Sequence, residues 1–425
     1  MFSLNESICE QTKKKIDNYF FILFSLIPVS IIFGPAVSLI NILLIDVSFI
    51  FFLIFTKKYK FLSNNTVKII LILCIYLIFN SIISESFSKG ALRNFGFIRF
   101  GILFCAFNYF FYYNEYFNKI LILWGFTLLI LVIDVYFEGI TGSNILGYGE
   151  QYGGRIVSFF EDEPIAGGYI NAFYLIIVGY LFSMNSKFSK NYKYLILIVS
   201  LFFLAAIILT GERSNTIKAI LGFFIFYLIN DQFKIKEKLI STLLLFVLLT
   251  SLVNSSDFLK IRYKGQLLDP VLTLYKSETK EITDKKSSGL SIYLKLYQSG
   301  YRMSKSYPFF GVGNKNYGLR ACEEFKKYKC NTHPHQIYFE FLAEHGYIGT
   351  IILLFILFNL IFAKLKIILR SKNYIQVSCL VFLLVSFIPL LPSGAFFSDY
   401  SLTIFWLNLS LMYSISKKTN IFSKN

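Results

Sequence analysis

The chain is patterned as long apolar blocks separated by short polar stretches, with neither the strict alternation of a half-buried strand nor the spacing of a soluble amphipathic helix. A bilayer core about 30 Å thick takes about 20 apolar residues per helix, and fewer where charged ends reach the interface. Twelve blocks fit that requirement, at 19–34, 38–55, 67–84, 96–113, 119–137, 166–184, 194–210, 214–230, 238–254, 338–363, 374–391 and 400–416. The pattern predicts an all-α, polytopic membrane helix bundle, with nine transmembrane helices in residues 1–254 and three, plus a tail, in residues 338–425.

One long polar interruption, residues 255–337, separates the ninth block from the tenth. A connection of that length is expected to be functional and partly folded. Asp257 to Ser288 is rich in Lys, Ser, Thr and Glu and reads as mobile. Leu290, Tyr293, Leu294, Leu296, Tyr297 and Tyr301 predict an amphipathic helix over Leu290–Ser306, resting on the membrane or the bundle and ended by Pro308. The loop Glu138–Ile165 is glycine-rich and is expected to fold back against the bundle.

Composition supports this reading: 55% of the 425 residues are hydrophobic and 19% aromatic, with a mean hydropathy of +0.59, too apolar for a soluble domain. Lys13, Lys14 and Lys15 precede the first apolar run, and no small-residue cleavage site follows it, so the run reads as a membrane helix and not a removed signal. The net charge of +17 would suggest nucleic acid in a soluble protein. Here its distribution gives another meaning. Lysines crowd one set of alternate connections (Lys57, Lys58, Lys60, Lys234, Lys236, Lys238), while the other short loops hold Lys89, Arg93, Arg155 and Arg213. The positive-inside bias then predicts cytoplasmic termini, residues 255–337 on the opposite face, and no nucleic-acid partner.

The chemistry-bearing residues gather on that opposite face. Arg155 and Arg213 sit at membrane edges where the bias disfavours cations, and each needs an anionic partner. One answer is internal pairing, Arg213 with Glu212, or Arg155 with Glu161, Asp162 or Glu163; the other is a diphosphate, whose oxygens match guanidinium forks. All three histidines fall within PFFGVGNKNYGLRACEEFKKYKCNTHPHQIYFEFLAEHGYIG, residues 308–349. His335 is the candidate general base, since an imidazole near neutrality can take a proton from a sugar hydroxyl. His333 is placed to orient it or to bind phosphate, and His345 reads as structural. No metal-ligand spacing appears around His333, His335, Glu340 and Glu344, and neither a metal nor a cofactor is expected. The turn GVGNKNYG reads as a device that carries Lys315 toward the site, and Arg302 and Arg320 add positive charge for an anionic substrate. Cys322 and Cys330 flank EEFKKYK; in an oxidising compartment a non-helical hairpin would let them form a disulfide, and otherwise they are free thiols.

The run from Pro308 through GVGNKNY to THPHQIYFEFLAEHGYIG resembles the O-antigen ligase and O-antigen polymerase superfamily. RIVSFFEDEPIAGGY and LTGERSN are weaker echoes of that family's arginine-bearing elements. The resemblance implies metal-independent glycosyl transfer at the periplasmic face of the inner membrane. Its donor would be a glycan on undecaprenyl diphosphate, and its acceptor a hydroxyl of lipid A-core or of a second lipid-linked chain. By carry-over, His335 would act as the base or its partner, and Arg155 and Arg213 would hold the diphosphate. Gln336 stands where the family often has Asn, and Glu212 where Ser often precedes the arginine. Ligase and polymerase are not separated by these motifs, and a lipid-linked sugar transporter is the non-enzyme alternative.

Overall fold

The computed structural model describes all residues except 1, 114–115, 150–152, 162, 185–190, 270–288, 325–330 and 424–425. The protein is 78% helical, and no strand occurs among the described residues. Nine helical stretches there are long and apolar enough to cross a membrane. Each of the twelve expected blocks contains helix, but three are shorter than a crossing requires: Arg213–Ile229 with 17 residues, Tyr374–Ser386 with 13 and Asp399–Ser414 with 16.

Tyr374–Ser386 ends well before the expected 391. At 1.5 Å per residue it spans about 20 Å. The cause is local, because Pro389 and Pro392 follow and a residue before proline is steered away from helical geometry. The chain from Phe387 to Ser398 consequently runs without regular helix, exposed at Pro389, Leu390 and Gly394 and buried at Phe387, Phe396 and Phe397. Such backbone is tolerated at membrane depth only when protein groups satisfy it. Here the Ser393 amide donates to the His335 carbonyl at 2.9 Å, and both Glu340 carboxylate oxygens lie 3.0 Å from the Phe396 amide.

Burial sorts the helices into layers. Ala166–Met184 is the most enclosed span and packs against Tyr374–Ser386, Tyr192–Leu209 and Phe117–Thr141. Asp399–Ser414 packs on Ile98–Tyr113, with Trp406 against Phe97 and Phe100. Ile235–Ser255 is peripheral, and Leu239, Ile240, Leu243 and Phe246 are exposed on it. An apolar helix with an exposed apolar face is what lipid contact requires. Cys74, Cys105 and Cys379 are buried free thiols within the bundle.

Two loops are pinned to the bundle by buried polar groups. The glycine-rich loop folds back as expected. Ser158 donates its hydroxyl to Asp134 Oδ2 at 2.6 Å, and the Val157 and Ser158 amides donate to Glu138 at 3.0 and 2.6 Å. The GVGNKNYG turn crosses a break in the Ile337–Phe362 helix at Gly346, where φ is 64°. Tyr347 and Ile348 donate their amides to the Pro308 and Phe309 carbonyls, and Val312 and Gly313 donate to those of Ala343 and Glu344. Only glycine fits this crossing, since a Cβ on Gly346 would lie 2.5 Å from the Phe309 carbonyl carbon and one on Gly311 2.4 Å from Glu344.

The segment read as mobile is helical in its described part. Asp257–Leu259 continues into a π-helical stretch, Lys260–Leu268, seated by Leu259 and Tyr263 against Ile208. The expected amphipathic helix forms as Gly289–Ser306, one turn ahead of Pro308.

Gly346→Ala is expected to destabilise the protein by about 1–3 kcal/mol through positive φ and backbone collision. Gly125→Ala, at an ordinary helical position with its nearest contact at 3.7 Å, is expected to be neutral or stabilising. Melting of the purified variants in detergent checks both; equal melting temperatures would contradict the crossing as the reason for glycine.

Candidate functional site

Three arginine-bearing segments meet around one aromatic ring. Phe258 sits where a Cβ on Gly154 or on Gly211 would come within 2.8 Å of it, so both glycines are needed to let the ring in. Gly154 precedes Arg155, Gly211 lies two residues before Arg213, and Phe258 lies one helical turn before Arg262. The wedge therefore brings Arg155, Arg213 and Arg262 together. Arg213 and Arg155 each act electrostatically on Arg262, which, through burial and then these two like charges, is held below the usual guanidinium range.

The three groups are held by uncharged acceptors. Arg262 donates through Nε and Nη2 to the Gly211 carbonyl, at 3.1 and 2.9 Å, and through Nη1 to Gln266 Oε1 at 3.0 Å. Arg213 donates to the Gln266 carbonyl at 2.8 Å, and Arg155 to that of Pro164 at 3.1 Å. None of the three forms a salt bridge with a described residue. The internal pairing of Arg213 with Glu212 is not adopted, nor is pairing of Arg155 with Glu161 or Glu163; Asp162 lies outside the described residues.

Glu212 has another task. Its carboxylate accepts the amides of Gly167 and Gly168 at 2.6 and 3.1 Å, where the Ala166–Met184 helix begins, and the Asn215 side-chain amide at 2.6 Å. Burial raises its pKa to about 6, against the lowering effect of these hydrogen bonds and of Arg155.

Tyr293 connects the arginines to the histidines. It acts electrostatically on Arg262, and its ring meets that of His335 edge-on with centroids 6.2 Å apart. His335 itself is strained, with φ at 56°. Strain of this kind persists where surrounding structure enforces it. Asn331 Oδ1 accepts the Thr332 amide, which turns the Asn331 NH2 toward His335 Nε2 at 2.9 Å. That orientation assigns an unprotonated Nε2, the form a proton acceptor needs. His333 packs on His335 with ring centroids 3.9 Å apart. Burial and then His335 hold its pKa down at about 4, so it is a neutral ring that can orient its neighbour but brings no charge to a phosphate.

The remaining expected residues lie apart from this cluster. Lys315, at the turn's positive φ of 63°, has Arg93, Asp399, Glu344 and Lys89 as its charged neighbours. Arg320 pairs with Glu85 and Glu323, and Arg302 is exposed on the Gly289–Ser306 helix. His345 shares a hydrogen bond with the Tyr76 hydroxyl inside the bundle, 3.1 Å from its Nδ1. Cys322 is disulfide-bonded; Cys330, its expected partner, lies outside the described residues. Among the described residues no group of three or more His, Cys, Asp or Glu is arranged to hold a metal ion.

Arg262 and Gln266 were not singled out by sequence, and Tyr293 was read only as part of an amphipathic stripe. The signal for the first two was present: Leu259, Tyr263 and Leu267 recur every fourth residue, a buried helical stripe inside a stretch whose polar composition hides it.

Because the raised Glu212 pKa favours its protonated form in the folded protein, its contribution is full below its ordinary value of 4.5 and is lost as pH rises through about 6, a loss of about 2 kcal/mol. Glu212→Gln cannot ionise, so it is expected to gain stability over wild type on going from pH 4.5 to pH 8. An offset in melting temperature that does not change with pH would contradict this.

Residues 198–354 match a family model described as O-Antigen ligase, a stretch that contains Arg213, Arg262, Tyr293, His333 and His335 but not Arg155. No curated protein matches the chain. With its apolar helices the chain is a polytopic helical membrane protein, and its residues 198–354 are similar to the O-antigen ligase family.

Proposed function

We propose that the protein transfers a glycan from a polyprenyl diphosphate carrier, undecaprenyl diphosphate by the family resemblance, to an acceptor hydroxyl at the non-cytoplasmic face of the inner membrane. The observation that carries this reading is the gathering of three guanidinium groups, none in a salt bridge with a described carboxylate, and linked through Tyr293 to an imidazole whose Nε2 accepts the Asn331 amide. A diphosphate is the leaving group that such a charge concentration suits, because negative charge grows on it as the glycosidic bond breaks.

The chemistry follows from these positions. The acceptor hydroxyl displaces the Asn331 amide from His335 Nε2 and gives its proton to that nitrogen. Its oxygen bonds to the anomeric carbon of the donor sugar while the bond from that carbon to the diphosphate oxygen breaks. The bond's electron pair leaves with the carrier diphosphate, stabilised by Arg155, Arg213 and Arg262. His333 and Tyr293 keep the imidazole plane in place. Twelve membrane crossings with both termini in the cytoplasm complete this reading, with the three short helices supported by the bundle. The acceptor is lipid A-core for a ligase and a second carrier-linked chain for a polymerase, and the same residues serve both.

Reconstitution with carrier-linked glycan and each acceptor in turn tests the proposal. Arg213→Ala, Arg262→Ala and His335→Ala are each expected to lower transfer by about 10²–10³-fold, with insertion and melting temperature close to wild type. Wild-type rates in all three variants would overturn the assignment, and the acceptor that yields product separates ligase from polymerase.

A further inference from the structure

A cavity of about 480 Å³ adjoins the arginine cluster, a volume within the range of about 300–1,000 Å³ common to ligand sites. Its wall is formed by the beginnings of the Ala166–Met184 and Arg213–Ile229 helices, the unwound stretch before Asp399, and Arg93. Three buried polar atoms of residues lining it have no hydrogen-bond partner among the described residues: Asn171 Oδ1, Ser393 Oγ and the Tyr400 hydroxyl. Asn171 is only 3% exposed. An unpaired buried polar group costs about 1–3 kcal/mol. The residues that carry these atoms line a single space, so a molecule bound there could supply the missing bonds once the side chains turn toward it.

The charges point the same way. Lys218 lines the cavity, forms no ion pair or hydrogen bond among the described residues, and has no charged group acting on it. It lies five residues past Arg213, about 7.5 Å farther along the helix. Arg93 faces the same space in electrostatic reach of Asp399, Glu344 and Glu340, without a salt bridge among the described residues. An unpaired cation inside a membrane helix is costly to keep, and such residues mark substrate paths. Two contacts tie the cavity to the reacting centre. Asn215, on its wall, donates to Glu212, and Ser393 donates its amide to the His335 carbonyl.

We propose that this cavity is a saccharide subsite for a sugar residue carrying a negative charge, with its anionic group on Lys218 and its ring hydroxyls on Asn171, Ser393, Tyr400 and Glu163. Sugar hydroxyls both donate and accept, as Asn171 Oδ1 and the two protein hydroxyls require. The proposal rests on the glycan-transfer reading, and it makes the substrate class an acidic glycan whose charged residue is bound on the bundle side of the diphosphate clamp.

Binding of methyl glucuronide, methyl glucoside, glucose 6-phosphate and inorganic phosphate to the full-length protein in nanodiscs tests it. Wild type is expected to bind methyl glucuronide or glucose 6-phosphate at least tenfold more tightly than methyl glucoside, and whichever is preferred identifies the anionic group as carboxylate or phosphate. Lys218→Gln should abolish that preference, Lys218→Arg should restore it, and Arg213→Ala should leave it intact. Equal affinity for charged and neutral sugars or an unchanged preference in Lys218→Gln would overturn the subsite, as would inorganic phosphate bound by Arg213→Ala as tightly as the charged sugars. Absence of the preference in a protein whose transfer still depends on Arg213 and His335 would sink this inference alone. The preference without that dependence would instead sink the catalytic reading.

Discussion

The contact on which the site depends is the seating of Phe258 against Gly154 and Gly211. Three guanidinium groups repel one another, and burial removes the water that would screen them. The ring fixes three separate segments at a common point, so the backbone geometry, and not a counter-ion, keeps Arg155, Arg213 and Arg262 close. Carbonyl acceptors from Gly211, Gln266 and Pro164 orient the forks without cancelling their charge. Among the described residues none of the three forms a salt bridge, which leaves their forks able to meet an arriving anion.

The rest of the fold reads as support for that arrangement. Asp134 and Glu138 pin the loop that carries Arg155, while Glu212 ties the helix opening at Arg213 to the one opening at Ala166. Helix stops short of Pro389 and Pro392, and the unwound backbone bonds to Glu340 and to His335. That break opens the polar cavity beside the site, because continuous helices would close the space with side chains. The glycine crossing at Gly311 and Gly346 anchors the chain before and after the histidine pair, which limits how far His335 can move.

Sequence made the membrane architecture legible because a bilayer demands long apolar blocks, and length is readable without alignment. His335, Arg155 and Arg213 stood out as candidates for a related reason: polar and charged groups at apolar boundaries are conspicuous. Arg262 was hidden because it lies in a polar stretch with many other lysines and arginines, where one more cation carries no signal. The seating of Phe258 is a long-range contact, and nothing in SDFLKIRYKG states which glycines it will meet. Lys315 was expected at the site through the GVGNKNYG turn, and Arg320 for its charge. Their turn and helix direct them to Arg93 and Glu85 instead, a matter of tertiary geometry. The short Tyr374–Ser386 helix was readable in its two prolines but was masked by the apolar residues around them.

The proposed function requires that Arg155, Arg213 and Arg262, none in a salt bridge with a described residue, bind diphosphate as one unit. It is tested most directly by the equilibrium affinity of geranyl diphosphate for wild type and for Arg155→Gln, Arg213→Gln and Arg262→Gln, each measured across salt concentration. The account predicts at least a tenfold loss in every variant and a shallower salt dependence than wild type. Affinities and salt slopes indistinguishable from wild type in all three would contradict it.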